Sequence, residues 1–331
     1  MRHLSRALLL CAASACASVA SAQSFSFALW GDMPYAKNKD SEATHAVIQS
    51  INRSDVRFSI YDGDIKDGSS KCTDNIYTDA VTMFNSLKKP AIYVPGDNEW
   101  TDCHRSNNGG YNALERLDHL RQAMFSQPRS FGQRTLMLSH QGEAGQKFVE
   151  NTRFASGGVM FVNVNMPGSN NNLIKSEKSC TKKSVRVWAD CEASNAEHQE
   201  RDAANIEWLR SSFTIARRMQ HAGLVLVFQG DPGFDVPETE DDDESKQPQF
   251  EGYQAFMKAL VEETEGYRGQ VLLVHGDTHF FKMDKPLYSP SRVLANLSRL
   301  QTFGSPVNHW VKVSVNVTSP EVFTIRPVMV H

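Results

Sequence analysis

The chain has 331 residues, 40 % of them hydrophobic, and a formal net charge of −3. That supplies ample core for one large domain or two small ones. The slightly acidic balance argues against a nucleic-acid backbone as the main partner.

Arg2 and Arg6 flank the start of a small apolar stretch, Ala7 to Ala17, and Ala20-Ser21-Ala22 stands before Gln23. This is the pattern of a secretory signal over residues 1–22. The stretch is too short to span a bilayer, and no later segment is long and apolar enough to do so. An exported chain, periplasmic or secreted, without a membrane span is therefore expected. Removing residues 1–22 takes away Cys11 and Cys16 and leaves Cys72, Cys103, Cys180 and Cys191. An even count in an exported chain points to disulfides, with three possible pairings. Cys72–Cys103 and Cys180–Cys191 are favoured, since the first two fall in loops after successive strands and the last two close a short polar loop. A zinc–thiolate site is the rival, weakened by the lack of a C-x-x-C spacing.

From Phe25 onward, short apolar runs alternate with helical patterns. Phe25 to Trp30 reads as a strand. Asp40 or Ser41 caps a helix whose apolar face is Ala43, Val47, Ile48 and Ile51. Val56 to Tyr61 is a second strand, and Asp74 caps a helix carrying Ile76, Ala80, Met83, Phe84 and Leu87. Ala91 to Val94 is a third strand, followed by a helix marked by Leu114, Leu117, Leu120 and Met124. Val159 to Val164 is another strand. The polar stretch Gly168 to Glu192 has the look of an insertion held by its own disulfide. A long helix runs from about Ser194 to Met219, burying Ile206, Leu209 and Phe213. Gly223 to Phe228 and Gln270 to Val274 are strands on either side of a helix carrying Phe250, Tyr253, Phe256, Met257 and Leu260. The acidic run Glu238 to Glu244 reads as a solvated loop. At the end, Val311, Val313, Val315 and Val317 alternate with polar residues and lead into a hairpin turn at Thr318-Ser319-Pro320. One layered α/β domain over residues 23–331 accounts for this order.

Five of these strands stop on the same dipeptide: Gly31-Asp32, Gly63-Asp64, Gly96-Asp97, Gly230-Asp231 and Gly276-Asp277. Composition alone would give about one such pair. A lone Gly-Asp after a strand is usually a turn, but five in register place several carboxylates along one sheet edge, where α/β ligands bind. Such a cluster repels itself unless a cation joins it.

The ordered segments resemble the calcineurin-like metallophosphoesterases, whose series is D-x-H, G-D-x-x-D, G-N-H-D/E, a lone His and G-H-x-H. They read here Asp32-Met33-Pro34, Gly63-Asp64-Ile65-Lys66-Asp67, Gly96-Asp97-Asn98-Glu99, Phe228-Gln229-Gly230-Asp231 and Gly276-Asp277-Thr278-His279. Ile206-Glu207-Trp208-Leu209 is similar to the family's W-L helix, and the resemblance covers nearly all of the chain after residue 22. It implies a four-layered α/β/β/α sandwich with two metal ions about 3.5–4 Å apart. It implies Asp64 as the bridging ligand, Asp32 and His279 at the first metal, and Asp97, Asp277 and Gln229 at the second. Asp67 would orient ligands rather than bind.

The departures are specific. Pro34 stands for a histidine ligand, Asp97 for an asparagine, Asn98 for the histidine that contacts phosphate or protonates the leaving group, Gln229 for a histidine with Asp231 near, and Asp277 for a histidine. Nitrogen ligands have become oxygen ligands, which suits Mn²⁺ or Mg²⁺, with Ca²⁺ also acceptable, as one or two ions. Position 67 is Asp, so the tyrosinate of a purple iron site is not expected. After the third motif, His104 is a candidate surrogate acid and Arg105 a candidate phosphate ligand. Trp100 and Tyr35 are candidates for an aromatic pocket wall or for plain packing. The function expected is hydrolysis of a small phosphomonoester or phosphodiester. The rivals are a catalytically inactive binding protein of the cell envelope on the same fold and a calcium-stabilised structural module.

Overall fold

The computed structural model describes residues 24–234, 244–289 and 292–330. The leader at 1–22 and most of the acidic run Glu238–Glu244 lie outside the described residues. The strands are β1 (Phe25–Trp30), β2 (Ser59–Tyr61), β3 (Ala91–Tyr93), β4 (Ser139–His140), β5 (Thr152–Ser156), β6 (Val159–Asn163), β7 (Gly223–Val227), β8 (Gln270–His275), β9 (Lys282–Asp284), β10 (Tyr288–Ser289), β11 (Arg292–Val293), β12 (Leu297–Gln301), β13 (Trp310–Val315) and β14 (Phe323–Val328). The helices are α1 (Ser41–Arg53), α2 (Asn75–Asn85), α3 (Ala113–Met124), α4 (Gly168–Asn171, a short turn of left-handed backbone), α5 (Glu177–Thr181), α6 (Trp188–Arg218) and α7 (Gln254–Glu265).

Two mixed sheets result. One has the order β14-β13-β1-β2-β3, the other β4-β5-β6-β7-β8-β12-β9, and β10 pairs only with β11. Strands β1, β2 and β3 run parallel in the first sheet, as do β6, β7 and β8 in the second. The carboxyl ends within each trio therefore fall on one edge.

Side chains on a strand alternate between faces, and the cores follow that rule. Phe27 and Leu29 of β1 pack with Phe161, Val225, Val227, Leu272 and Val274 between the sheets. Their neighbours Ala28 and Trp30 turn outward onto α1, α2 and α3, with Val47, Phe84 and Leu120. On the other side Leu224, Leu226 and Leu273 meet Leu209, Phe213, Phe256 and Leu260 of α6 and α7. The layers are thus α/β/β/α. Strands buried on both faces read as continuous apolar runs, which is why they were legible.

Element edges moved where local chemistry decided. The core position in the first turn of α1 is Thr44, not Ala43, because the helical spacing back from Ile51, Ile48 and Val47 lands on 44. Helix α6 begins at Trp188, where Asp190 accepts a hydrogen bond from the Val187 amide at 2.9 Å, so the helix takes in the end of the polar stretch. Pro248 opens a 3-10 turn over Pro248–Tyr253 before α7. Both favoured disulfides are present, Cys72–Cys103 and Cys180–Cys191. Among the described residues no helix is long and apolar enough to cross a membrane.

Candidate metal centre

The strand ends turn sharply. Asp32 (φ 51°), Asp64 (φ 63°), Asp277 (φ 73°) and His279 (φ 68°) all sit in the left-handed region. That conformation costs an L-residue about 1–2 kcal/mol, and Asp is among the few that adopt it readily. The glycines explain why the motif is a pair. A Cβ on Gly96 would lie 2.1 Å from Asp64 Oδ1, and one on Gly276 would lie 2.2 Å from Asp32 Oδ2. Each glycine clears space for the carboxylate of a neighbouring loop, within the first sheet for Gly96 and Asp64 and between the two sheets for Gly276 and Asp32. The Gly-Asp pairs thus converge from two sheets rather than lining the one edge expected.

One half of the site is organised by Tyr35. Its hydroxyl donates to Asp64 Oδ2 at 3.0 Å and lies 3.5 Å from Asp32 Oδ1 and 3.3 Å from His279 Nε2. The Asn98 amide nitrogen donates to the same hydroxyl at 3.2 Å and to Asp64 Oδ2 at 2.5 Å. His279 Nδ1 donates to the Ser305 carbonyl at 2.6 Å, and Nε2 faces Asp32 Oδ1 at 3.3 Å. Burial pulls the imidazole toward neutrality, but the hydrogen bond to Asp32 and its charge outweigh this and lift the pKa to about 9.

The other half surrounds Gly168. A Cβ there would meet Asp97 Oδ2 at 2.7 Å and Asp277 Oδ1 at 2.9 Å. Gln229 Oε1 accepts from the Gly168 amide at 2.6 Å, and Gln229 Nε2 donates to Asp277 Oδ1 at 3.3 Å. The Asp231 amide donates to Asp277 Oδ2 at 3.1 Å. Residues Ser169 to Asn172 hold four consecutive positive φ values, 52°, 55°, 52° and 65°. This left-handed turn carries the Ser169 hydroxyl to Asp97 Oδ2 (2.7 Å) and Asp102 Oδ1 (2.8 Å).

Several supports were not assigned roles from sequence. Glu99 Oε1 accepts from the Gly96 amide (2.7 Å), the Asp64 amide (3.2 Å) and the Tyr93 hydroxyl (2.8 Å), fixing two strand-end loops at once. Lys66 is buried and donates to the carbonyls of Asp67 and Asn98, each at 2.8 Å. Asp67 stands apart from the carboxylate cluster. Burial works against its ionisation, but the hydroxyls of Ser69 and Ser70 and the amides of Lys37 and Ser69 hold its pKa below the usual range.

Burial raises the pKa values of Asp32, Asp64 and Asp277, and for Asp64 and Asp277 the charge of Asp97 raises them further. Such a cluster wants protons or a cation. The Gly168 half has the donor chemistry of a hard, oxygen-ligated ion: the Asp97 and Asp277 carboxylates converge on the Gly168 backbone, and the charges of both raise the pKa of Asp64. The Tyr35 half does not fit one, because the phenol already sits among Asp32, Asp64 and His279. Among the described residues no group of three or more His, Cys, Asp or Glu side chains stands ready to hold a metal ion.

His104 is buried, its Nδ1 has no hydrogen-bond partner, and burial together with Arg186 and Arg105 lowers its pKa to about 3. Burial and the two guanidinium groups thus favour the neutral ring, which weighs against His104 as the surrogate acid. Arg105 pairs with Asp102 at 2.6 Å and reaches Ser169 Oγ at 3.4 Å.

The sequence matches no protein family profile and no curated protein. Solved structures do match in shape. The structure of PhoD superposes over 92 % of this chain and 68 % of its own, with a TM-score of 0.56 and 11 % identity. Purple acid phosphatase from yellow lupin covers 93 % of this chain, which spans 54 % of it, at a TM-score of 0.48 and 10 % identity. GAP50, described as the anchor in the inner membrane complex of Plasmodium, covers 93 % and 89 % at 0.43 and 13 %. Identities this low speak to fold alone, and of the three only PhoD superposes closely enough to carry weight. With its two sheets and strand-end motifs, the chain has the fold of the calcineurin-like metallophosphoesterases.

Proposed function

We propose that this chain is an exported phosphoester hydrolase working with one divalent cation, Mn²⁺ or Mg²⁺, held by Asp97, Asp277 and Asp64. The observation that carries this reading is the convergence of the Asp97 and Asp277 carboxylates on Gly168, with burial and the charge of Asp97 raising the pKa values of Asp64 and Asp277. A bound ion would supply Lewis acidity for attack of water on phosphorus. The chain's own residues do the positioning. Gln229 ties Gly168 to Asp277, Ser169 holds Asp97, and Asn98 fixes Asp64. Arg105, beside Ser169, is the phosphate ligand. Asn98 cannot hand over a proton, so esters with good leaving groups, such as aryl phosphates, turn over faster than alkyl ones. Two disulfides accord with an oxidising compartment.

A second reading, a catalytically inactive binding protein of the same fold, is favoured by Tyr35 occupying the other half of the site. Assay of the chain from residue 23 onward, stripped and reloaded with Mn²⁺, Mg²⁺, Ca²⁺ or Zn²⁺, on aryl phosphomonoesters and phosphodiesters separates the two. Metal-dependent turnover that vanishes in Asp64→Asn supports the hydrolase. Bound cation with no turnover of either ester class supports the binding protein.

A further inference from the structure

Beside the carboxylate cluster lies a cleft of about 670 Å³, within the usual size of a small-molecule site. Five cations line it: Arg105, Lys175, Lys182, Lys183 and Arg186. Asp102 is its single acidic lining residue and is paired with Arg105 at 2.6 Å. Lys175 is matched by Glu251 at 2.6 Å. The remaining three charges make no ion pair among the described residues. The Arg186 side chain donates to the Cys180 carbonyl, at 3.2 and 3.3 Å, and feels Asp102 and Asp190 only at longer range, and Lys182 and Lys183 make no side-chain hydrogen bond. This excess positive charge stands on a chain whose net charge is −3.

The walls are built rather than incidental. The Cys72–Cys103 bond anchors the segment that carries His104 and Arg105, and Cys180–Cys191 anchors the segment that carries Lys182 to Arg186. The two segments are joined to each other. The Ser106 amide donates to the Lys183 carbonyl at 2.9 Å, and the Ser184 hydroxyl donates to the His104 carbonyl at 3.1 Å. His104, also part of the lining, leaves a buried ring nitrogen without a partner. The Ser169 hydroxyl, bonded to Asp97 on one side and Asp102 on the other, links this cleft to the carboxylates. A cation-lined cleft with pre-fixed walls beside a phosphoester centre binds anions with little ordering cost.

We propose that this cleft receives a second phosphate group, so that the substrate class is phosphoesters bearing a further phosphate or a phosphoanhydride chain. The assignment of substrate rests on the hydrolase reading above; the anion site does not.

The test is calorimetric titration of the disulfide-intact chain from residue 23 onward, freed of metal, with tripolyphosphate and with inorganic phosphate. The expected result is saturable binding of tripolyphosphate about tenfold or more tighter than phosphate, from added charge-assisted contacts. Lys182→Ala with Lys183→Ala weakens it by about tenfold, and Asp64→Asn leaves it unchanged. Lys182→Gln with Lys183→Gln, which keeps side-chain bulk, serves if the alanine pair folds poorly. Undetectable tripolyphosphate binding, or binding the lysine pairs do not weaken, overturns the proposal. Tripolyphosphate bound as expected by a chain without metal-dependent turnover retires the hydrolase reading and leaves the anion site standing. With an active chain, KM falls for esters carrying a second phosphate, and the lysine variants erase that preference with kcat unchanged.

Discussion

The two halves of the carboxylate cluster solve the same electrostatic problem differently. Around Tyr35, a phenol donates to Asp64, and the imidazolium of His279 balances Asp32. Around Gly168, Asp97 and Asp277 converge with a serine hydroxyl, a glutamine amide and a backbone amide as their donors among the described residues. The first half is balanced by the chain itself, and on the proposed reading the second takes a cation. Tyr35, the residue after Pro34, supplies the hydroxyl that meets Asp32, Asp64 and His279.

Asp64 is bonded to Tyr35 in the first half and feels the charges of Asp97 and Asp277 in the second, so Asp64→Asn is the harshest break. Turnover of an aryl phosphate should fall about 10³-fold, the scale of losing a transition-state contact, with far-ultraviolet dichroism unchanged. Retained turnover would place the chemistry elsewhere.

Acid should loosen the Gly168 half through its scaffold. His198 is buried and its Nδ1 donates to the Asn171 carbonyl in the left-handed turn at 2.8 Å. Burial, then Arg201, lowers its pKa to about 4. The unfolded chain takes up that proton near the ordinary histidine pKa of about 6.5. Its contribution to stability is thus intact above about pH 6.5 and is lost as pH falls toward 4, by up to about 3 kcal/mol. Denaturant titrations at pH 7 and pH 4.5 should show a smaller acid loss in His198→Gln than in the unaltered chain.

Gly168→Ala tests the second half alone. The new methyl would stand 2.7 and 2.9 Å from the two carboxylate oxygens, and cation affinity should fall about 10–100-fold, comparable to disturbing a ligand's support. The Asp32–Tyr35 contacts should be untouched, as seen by unchanged tyrosine fluorescence. Tyr35→Phe is the mildest change. It removes one hydroxyl and should cost about 1 kcal/mol of stability in urea.

Much of this division was legible in the sequence and part was not. The strand ends were readable because β1 to β3, β7 and β8 are buried apolar runs that each lead into a Gly-Asp pair. The disulfide pairs were readable because Cys72 and Cys103 follow successive strands while Cys180 and Cys191 lie close in sequence. Tyr35 was visible only as a candidate pocket wall, since its role depends on meeting residues 29 and 244 positions away. Ser169 had no signal at all: its turn is held in left-handed backbone by contacts to Asp97, Asp102 and Gly252, none of them near in sequence. Glu99 was readable as the last letter of a motif, but not as the residue that pins two loops together.

The most direct test of the central claim is a count of bound cations. The stripped chain is equilibrated with Mn²⁺, freed of excess, and assayed for metal per chain alongside Tyr35→Phe and Gly168→Ala. The account predicts about one ion in the unaltered chain, at least one in Tyr35→Phe, and almost none in Gly168→Ala. Two ions in the unaltered chain, or an ion retained at full affinity in Gly168→Ala, would contradict it.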